Sequence, residues 1–397
     1  MYDCILESNG LGDCYLGIDI QNCDLAIYNA INQTLEKLDV SKKYFNAVDE
    51  LSPKVKAGFH FARLQKLDGQ IYVESYGTSW QDVRLDPLLS ILHKYQSQIG
   101  DLDMIIPLFD ENHFSKNKAH NIEFYSAPIF SVNYNLRDLE KIDKINNFIL
   151  YPDSHVIHHA YHGKIKYLLD HQQTLDSQES FDKAVFRGTA NGGGGDFHIG
   201  VDTINQHPRF KISLLSYLFQ DHLDGQLLGN PTENDKNVKK AKLGRIYKDL
   251  LIDDKNQYMD LSEQVRYKYI ISLDGHAASW SRPLVVMFSK SLLLYQTDYV
   301  QWFQPALQPG KNYLPLKNDL SNLITQIDWA RSHKEQVDQI IYNQNVVANK
   351  CLTLEKVEEQ FLYILKEYSK KFTYKIENKN FPLASNTYNK FIDGVVK

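Results

Sequence analysis

The chain contains little cysteine: the four residues among 397 are Cys4, Cys14, Cys23 and Cys351. Their number and spacing do not make a disulfide framework, and the first three are too far apart for the paired Cys-x2-4-Cys ligands of a structural zinc site. Because disulfides are common in secreted proteins and rare in cytosolic ones, we expect a reducing compartment.

Long apolar runs and an N-terminal leader are also missing from the sequence. No uninterrupted stretch of about 18 apolar residues occurs, so the sequence predicts no membrane-spanning helix. Residues 1–7 do not combine a basic region with an apolar run, which is the pattern of a secretory signal. We therefore predict a cytoplasmic protein and leave open a peripheral contact at the inner face of the cytoplasmic membrane.

An excess of positive charge is missing as well. The chain has 44 Lys and Arg residues against 49 Asp and Glu, a formal net charge of −5, and this balance argues against a dedicated nucleic-acid binder. Its hydrophobic and charged fractions, 43% and 23%, are those of a globular protein. A length of 397 residues exceeds what one core normally supports and predicts two domains.

The most informative segment that is present covers residues 272–283 and reads Ser-Leu-Asp-Gly-His-Ala-Ala-Ser-Trp-Ser-Arg-Pro. The apolar residues 269–273 predict a buried strand, and Pro283 with the apolar residues after it predicts a helix start. The first N–H groups of a helix have no intrahelical partner and lie at the positive end of its dipole, so this turn suits a phosphate group. The alternative is that its small residues serve only the conformation of the turn.

Two arginines strengthen the phosphate interpretation. Arg187 ends a predicted strand and precedes a glycine-rich loop, and Arg282 lies inside the turn just described. A guanidinium group stays charged, and its planar fork matches paired phosphate oxygens. We therefore predict that both arginines bind a diphosphate, and the alternative for each is a surface ion pair.

Three blocks follow one another in the sequence: Phe-Arg-Gly-Thr at 186–189, Tyr-Lys-Tyr through Asp-Gly to Ser at 267–279, and Tyr-Leu-Pro-Leu with Asp-Leu-Ser at 313–321. In this order they resemble glycosyltransferase family 90. This family holds the protein O-glucosyltransferases, the fungal capsule-associated transferases and bacterial transferases that modify lipopolysaccharide. The chain departs from the family at two positions: Arg282 lies one residue after the place of the family's second arginine, which is Ser281 here, and Asn312 stands where the family often has histidine.

The resemblance implies an α/β fold of the GT-B architecture, in which two Rossmann-like domains face each other across a cleft. We expect an acceptor-side domain at 1–180 and a nucleotide-sugar-binding domain at 181–352, with a polar linker at 170–183. An amphipathic helix is predicted to begin near Thr353, and the resemblance implies that residues 353–397 cross back to the first domain. The missing signal and disulfide framework fit a bacterial, glycan-directed member of the family.

Asp110 is the predicted catalytic base. It follows the buried-strand pattern of residues 103–109, and the carboxyl ends of strands in parallel α/β sheets face the ligand crevice. From the residue pattern alone, a cap of the next turn is the favoured interpretation. The segment, however, resembles the part of the family that contains its catalytic Asp, and this resemblance implies the role of a base.

The resemblance implies the activity of an inverting glycosyltransferase, which moves a hexose or pentose from a UDP-sugar to a hydroxyl group of a lipopolysaccharide core or another surface glycan. Neither a metal ion nor another cofactor is expected. Two alternatives stay open: a protein O-glycosyltransferase, and a catalytically silent protein that binds a nucleotide sugar or a glycan. The predicted donor-binding residues are Arg187, Gly188, Thr189, His276, Ala277, Ala278, Ser279 and Arg282.

Four histidines carry a weaker prediction. His155, His158, His159 and His162 share one face of an α-helix at their i, i+3, i+4 and i+7 spacing. We interpret the first three as acceptor-side contacts in the cleft. A zinc-dependent hydrolase is the weaker alternative.

Two polar segments are predicted to be exposed to solvent. Asp101 and Asp103 match a metal-binding Asp-x-Asp pattern but come before the predicted strand, so we expect a solvated turn there. Residues 224–256 contain many Lys, Asp and Asn residues and are expected to form a surface excursion.

Overall fold

A computed structural model describes two compact units of the chain. Among the described residues, the parallel-sheet unit takes those of Met1–Cys23, Lys164–Asp298 and Ala306–Lys350, and the mixed-sheet unit takes those of Asp24–Gly163, Tyr299–Pro305 and Cys351–Lys397. The described residues are 20–51, 61–76, 81–108, 127–136, 147–153, 156–176, 180–189, 207–228, 251–252, 259–275, 277–279 and 281–384.

The described residues form the following elements. The α-helices are α1 (Cys23–Lys37), α2 (Lys42–Leu51), α3 (Gln81–Tyr95), α4 (Lys166–Asp170), α5 (Gln172–Asp176), α6 (Pro208–Leu218), α7 (Leu261–Gln264), α8 (Arg282–Met287), α9 (Leu323–Ser332), α10 (Lys334–Cys351) and α11 (Leu354–Ser369). A π-helix covers Ile157–Ile165, and 3-10 helices cover Ile20–Asn22, Gln96–Gln98 and Gln304–Ala306. The strands are β1 (Phe61–Leu67), β2 (Gln70–Tyr76), β3 (Leu102–Pro107), β4 (Ile129–Ser131), β5 (Tyr134–Asn135), β6 (Phe148–Leu150), β7 (Phe181–Thr189), β8 (Leu223–Leu228), β9 (Leu251–Ile252), β10 (Tyr267–Leu273), β11 (Leu292–Gln296), β12 (Tyr299–Val300) and β13 (Leu314–Pro315).

The mixed-sheet unit contains a five-stranded sheet in the order β2-β1-β3-β4-β6. Strand β1 pairs antiparallel with β2 and β3, whereas β3, β4 and β6 run parallel to one another. All six residues of β3 are buried, which confirms the strand predicted over residues 103–109. A separate short antiparallel pair joins β5 to β12.

Asp103 lies within β3 and is buried, so the predicted solvated turn is wrong at this residue. Arg63 on β1 donates hydrogen bonds from Nε to Oδ1 and from Nη2 to Oδ2 of Asp103, both at 2.8 Å. Gln65 adds a third bond to Oδ2 at 2.8 Å. A carboxylate that is paired and fully hydrogen-bonded is tolerated in a core. Its partners come from another strand, so the Asp-x-Asp pattern at 101–103 did not indicate this ion pair.

Helix α11 confirms the amphipathic helix predicted to begin near Thr353. The Thr353 hydroxyl caps it by accepting a hydrogen bond from the Lys356 amide at 3.3 Å. Val357, Phe361 and Ile364 are fully buried on its inner face, and burying such a side chain contributes about 1.5–3 kcal/mol. The helix therefore supplies a substantial part of the core of the mixed-sheet unit.

The parallel-sheet unit contains six strands in the order β13-β11-β10-β7-β8-β9, and every pairing is parallel. Parallel neighbours need a crossover connection; α6 lies between β7 and β8 in the chain, and α8 lies between β10 and β11. Buried side chains of the strands and of α6, including Phe186, Phe210 and Ile271, form one core cluster. This arrangement confirms the predicted α/β class with parallel strands.

The sequence prediction about cysteine fails at two positions. Cys23, the first residue of α1, and Cys351, the last residue of α10, are both disulfide-bonded. The expectation of a reducing compartment loses the observation on which it rested, because the spacing of cysteines along the chain does not show whether they form disulfides. Within the described ranges, no helix is both long and apolar enough to cross a bilayer.

Candidate functional site

The two predicted donor-binding blocks meet at one edge of the parallel sheet. Strands β7 and β10 are parallel neighbours, so Thr189 at the end of β7 and Leu273 at the end of β10 lie on the same edge. In open α/β sheets, ligands bind at this carboxyl edge. We call residues 187–189, the described residues of 274–279, Arg209 and Arg282 the strand-end site.

The turn after β10 is compact, and helix α8 follows it as predicted. The Gly275 amide donates a hydrogen bond to the Ala277 carbonyl at 2.9 Å, and Ala277 and Ala278 are each only 2% exposed. Helix α8 has six residues, and Ser281 before it makes no side-chain cap bond. So short a helix aligns few peptide dipoles. The attraction of the site for an anion therefore depends mainly on its arginines.

Arg187 is buried and bound to Asp224 on the neighbouring strand β8. Its Nη1 lies 2.9 Å from Oδ1 of Asp224, and its Nη2 donates to Oδ2 at 2.9 Å. The Tyr267 hydroxyl also donates to Oδ2, at 2.6 Å, and burial together with the Asp224 carboxylate raises the pKa of Tyr267 to about 12. The Nε of Arg187 is buried without a hydrogen-bond partner. Arg187 thus joins β7 to β8, and its role as a diphosphate ligand stays a prediction.

The position of Asp224 corrects a further prediction. Residues 224–256 were expected to form a surface excursion, but Asp224 lies inside strand β8, Leu223–Leu228. The partner that holds it there, Arg187, is 37 residues away in the chain. A polar composition alone therefore misplaced the start of the excursion.

Arg282 bridges the ends of the two central strands. Its Nη1 donates to the Ile271 carbonyl on β10 at 3.3 Å, and its Nη2 donates to the Arg187 carbonyl on β7. Its guanidinium carbon lies 5.0 Å from the centre of the Phe186 ring, within reach of a cation–π contact. These two bonds fix the orientation of the guanidinium group at the ends of the strands.

Arg209, at the start of α6, is a third arginine of the site that the sequence analysis missed. Its Nε donates to the Asp274 carbonyl at 2.9 Å, its Nη1 to the Thr189 carbonyl at 3.1 Å and its Nη2 to the Leu273 carbonyl at 3.2 Å. Burial lowers the pKa of Arg209 to about 10. One signal was available: a cation in the first turn of a helix opposes the helix dipole, so Arg209 directly after Pro208 needed another reason to be there.

Two glycines of this site let neighbouring side chains pack directly against the backbone. A Cβ atom on Gly188 would lie 2.8 Å from Cζ of Phe186, whose ring is fully buried. A Cβ atom on Gly275 would lie 2.7 Å from Nη2 of Arg209. The order Phe-Arg-Gly and the glycine of the turn therefore have a steric reason in this chain.

Asp274, the first residue after β10, is held by the residues that follow β11. Its Oδ2 accepts a hydrogen bond from the Asp298 amide at 2.6 Å, and its own amide donates to Oε1 of Gln296 at 3.2 Å. Asn318 completes the group by donating to Oδ1 of Asp298 at 2.7 Å. Removal from water, with a further contribution from the Asp298 carboxylate, raises the pKa of Asp274 to about 8. Asp274 is therefore mostly protonated at neutral pH and puts little negative charge beside the site.

Replacing Asp274 by asparagine is expected to stabilise the protein increasingly as the pH rises. The pKa of Asp274 rises on folding from its ordinary value of 3.8 to about 8, so its contribution is complete below the lower value and is lost as the pH rises through the upper one. Asparagine does not titrate, so the melting temperature of Asp274→Asn relative to wild type should increase between these two values. A constant difference in melting temperature would contradict this assignment.

Asp319 provides the matched control for this pH series. Hydrogen bonds from Ser321 lower the pKa of Asp319, so its contribution is present above its ordinary value and is lost as the pH falls. Asp319→Asn should therefore be less stable than wild type at neutral pH, and this deficit should shrink in acid. As the pH rises, the melting temperature relative to wild type should therefore increase for Asp274→Asn and decrease for Asp319→Asn.

The remaining predicted residues lie apart from this site or outside the described residues. Asp110, His155 and His276 are outside them, as is the side chain of His158. His159 is exposed on the π-helix Ile157–Ile165, and because a π-helix has i→i+5 bonds, the shared face expected from α-helical spacing does not apply. Within the described ranges, no group of His, Cys, Asp and Glu is arranged to hold a metal ion.

Asn312, which replaces the histidine frequent in the resembled family, has a local structural role. It is fully buried; its Oδ1 accepts from the Gln308 amide at 2.9 Å, and its Nδ2 donates to the Ala306 carbonyl at 3.1 Å. An asparagine amide offers both a donor and an acceptor for such a turn. These bonds hold the turn that leads into β13.

Comparison with known proteins identifies the family. Residues 225–383 match the family model Glycosyl transferase family 90. The chain is 26% identical over 145 residues to human Protein O-glucosyltransferase 3, which covers 36% of this chain and 26% of the relative. It is 33% identical over 75 residues to Protein O-glucosyltransferase 2 of Danio rerio, covering 19% and 15%. The match thus spans about a quarter or less of these two relatives.

A glycosyltransferase structure from Rickettsia africae ESF-5 aligns with 65% of this chain and 68% of its own, with a TM-score of 0.35 and 14% identity. The sequence comparisons, in contrast, confirm the family recognised from the three blocks. The segment 225–383 therefore matches glycosyltransferase family 90, the family that the three blocks resemble.

Proposed function

We propose that this protein is an inverting glycosyltransferase that moves a sugar from a UDP-sugar to a hydroxyl group of a lipopolysaccharide core or another surface glycan. The observation that carries the proposal is the strand-end site, where the predicted donor-binding blocks around Arg187 and Arg282 converge. The partners in this proposal are a UDP-sugar and a glycan or glycolipid acceptor at the inner face of the cytoplasmic membrane. The GT-B architecture and a reaction without metal or other cofactor are parts of the same proposal.

The electrostatics of the site support an anionic donor. Arg209 and Arg282 donate side-chain hydrogen bonds to main-chain carbonyls at the ends of the strands, and these bonds place two guanidinium groups at the strand-end site. The lowered pKa of Arg209 means that burial disfavours its charge, so a bound diphosphate would stabilise it. Asp274, with its raised pKa, adds little opposing negative charge at neutral pH.

The proposed reaction is a single displacement at the anomeric carbon. Asp110 takes the proton of the acceptor hydroxyl, whose oxygen attacks the anomeric carbon from the face opposite UDP. The bond to the phosphate oxygen breaks, and UDP leaves with an additional negative charge. Arg282 and the amides of 277–279 stabilise that charge as it develops. Configuration inverts because attack and departure occur on opposite faces.

Arg282→Ala is expected to weaken UDP binding by about 1.5–3 kcal/mol, the range for a hydrogen bond to a charged group. The guanidinium group is placed by carbonyls of β7 and β10, so its loss removes charge at the point where the two strands end. Isothermal titration calorimetry with UDP measures the effect. The control is Ser281→Ala, which removes only a hydroxyl at the position of the family's arginine. An effect at Ser281 with none at Arg282 would mean that the contact is misplaced.

A protein acceptor is the second candidate, because the relatives of this chain are named as protein O-glucosyltransferases. A screen of UDP-sugars for hydrolysis by the purified protein identifies the donor. Transfer assays with lipopolysaccharide cores and with folded protein domains then separate the two acceptor classes. UDP binding without hydrolysis or transfer of any UDP-sugar would instead favour a catalytically silent binding protein.

A further inference from the structure

We propose that Arg209 is a positioning residue of the strand-end site and holds Asp274, the first residue of the turn, against the end of β7. The ligand in this proposal is the UDP of the proposed function, on which the proposal rests. Arg209 comes from a third element, helix α6, and contacts both predicted donor-binding segments. It therefore sets their separation.

The three carbonyls bound by Arg209 explain this role. Thr189 is the last residue of β7, Leu273 is the last residue of β10, and Asp274 opens the turn. The planar guanidinium group donates to all three over distances of 2.9–3.2 Å. Beyond the last residues of the two strands, the ladder between β7 and β10 no longer fixes their spacing. There the guanidinium group of Arg209, a single rigid group, fixes the spacing in place of the ladder.

The start of helix α6, which carries Arg209, is held in the core of the sheet. Phe210 is fully buried in the core cluster of the sheet. The His207 ring packs edge-on against the Phe210 ring, with 5.1 Å between the two ring centres. The Lys211 amide donates to the His207 carbonyl at 2.9 Å, which closes the first turn of the helix. Arg209 thus extends from a fixed helix start, and its position is determined by the fold.

Arg209→Lys tests the proposal, because lysine keeps the positive charge but has one nitrogen for three carbonyl acceptors. We expect faster amide hydrogen exchange in the peptide covering 274–279. We also expect UDP binding to weaken by about tenfold, the effect of losing one hydrogen bond from the turn to the charged diphosphate. The matched control is Arg266→Lys. Arg266 lies at the amino ends of the same strands, where its carbonyl accepts from the Phe181 amide at 2.9 Å, and its replacement should change neither measurement.

Gly275→Ala gives a second route to the same effect, which keeps the proposal testable if Arg209→Lys fails to fold. The added methyl group would meet Nη2 of Arg209 at 2.7 Å and displace the guanidinium group while Arg209 itself is kept. We expect the same two changes as for Arg209→Lys. In the double variant Arg209→Lys with Gly275→Ala, the fold-loss of UDP affinity should be smaller than the product of the two single fold-losses. Both substitutions act on the same contact, that of Arg209 with the turn.

Unchanged amide exchange at 274–279 in both variants would overturn the proposal. Faster exchange with unchanged UDP affinity would overturn it too, because the turn would then move without affecting the site. Amide exchange requires no ligand. If wild type fails to bind UDP, the proposed function is lost, whereas the exchange data still decide whether Arg209 holds the turn.

Discussion

Asp110→Asn is expected to lower the rate of sugar transfer by about 10²–10⁴-fold, the scale of general base catalysis. Asparagine keeps the shape and most of the hydrogen bonding of aspartate but does not accept the proton of the acceptor hydroxyl. UDP affinity and the melting temperature should stay unchanged, since asparagine differs from aspartate in charge and proton acceptance but not in size. Steady-state transfer assays, with calorimetry for UDP, measure both parts of the expectation.

The alternative role of Asp110, a cap of the next turn, makes a different forecast. Asparagine is nearly as good a cap as aspartate, so activity and stability would both survive. Asp101→Asn is the matched control, because Asp101 is half exposed just before β3, where it accepts from the Asp68 amide at 3.1 Å. Its replacement should leave the transfer rate unchanged. Near-native transfer by Asp110→Asn would exclude the base and return attention to the histidines at 155–162.

Arg187→Ala is expected to reduce the free energy of unfolding by about 3 kcal/mol, the lower end of the range for breaking a buried ion pair. The lower end applies because the Asp224 side chain keeps 25% of its surface exposed and is partly solvated. Removing Arg187 leaves that carboxylate with the Tyr267 hydroxyl but without its cation. Urea denaturation of wild type and variant gives the difference.

The double variant Arg187→Ala with Asp224→Ala separates the ion pair from simple loss of packing. If the pair causes the loss, the double variant should be more stable than the sum of the two single losses requires. Arg187→Ala with unchanged stability but weaker UDP binding would contradict the structural assignment. It would instead make Arg187 a donor ligand, as the sequence analysis predicts.

Much of the fold could be predicted because its signals are local. The apolar runs that became β3, β10 and β11 and the 3.6-residue period of α11 are contained within short stretches of sequence, and the blocks that identify the family follow one another in order. The bridging role of Arg282 and the role of Arg209 could not be predicted. Each depends on β7 and β10 being neighbours in the sheet, although more than 70 residues separate them in the chain.

Buried charge could not be predicted from sequence for the same reason. Asp103 and Asp224 both appeared to be solvent-exposed acids, and each is held by an arginine on an adjacent strand. A carboxylate beside polar residues favours solvent unless a cation is placed within hydrogen-bond distance. That placement follows from strand order, which local patterns do not contain.

The bonds of Arg209 and Arg282 to carbonyl oxygens have a consequence for how freely the surrounding sequence can vary. A carbonyl is the same acceptor whatever side chain its residue carries, so positions 271 and 273 can accept other residues of fitting size while both arginines remain in place. Random mutagenesis of these two positions, selected for UDP binding, should yield many functional combinations. Simultaneous randomisation of 188 and 275 should return glycine at both, since the side chains of Phe186 and Arg209 leave no room there for a Cβ atom.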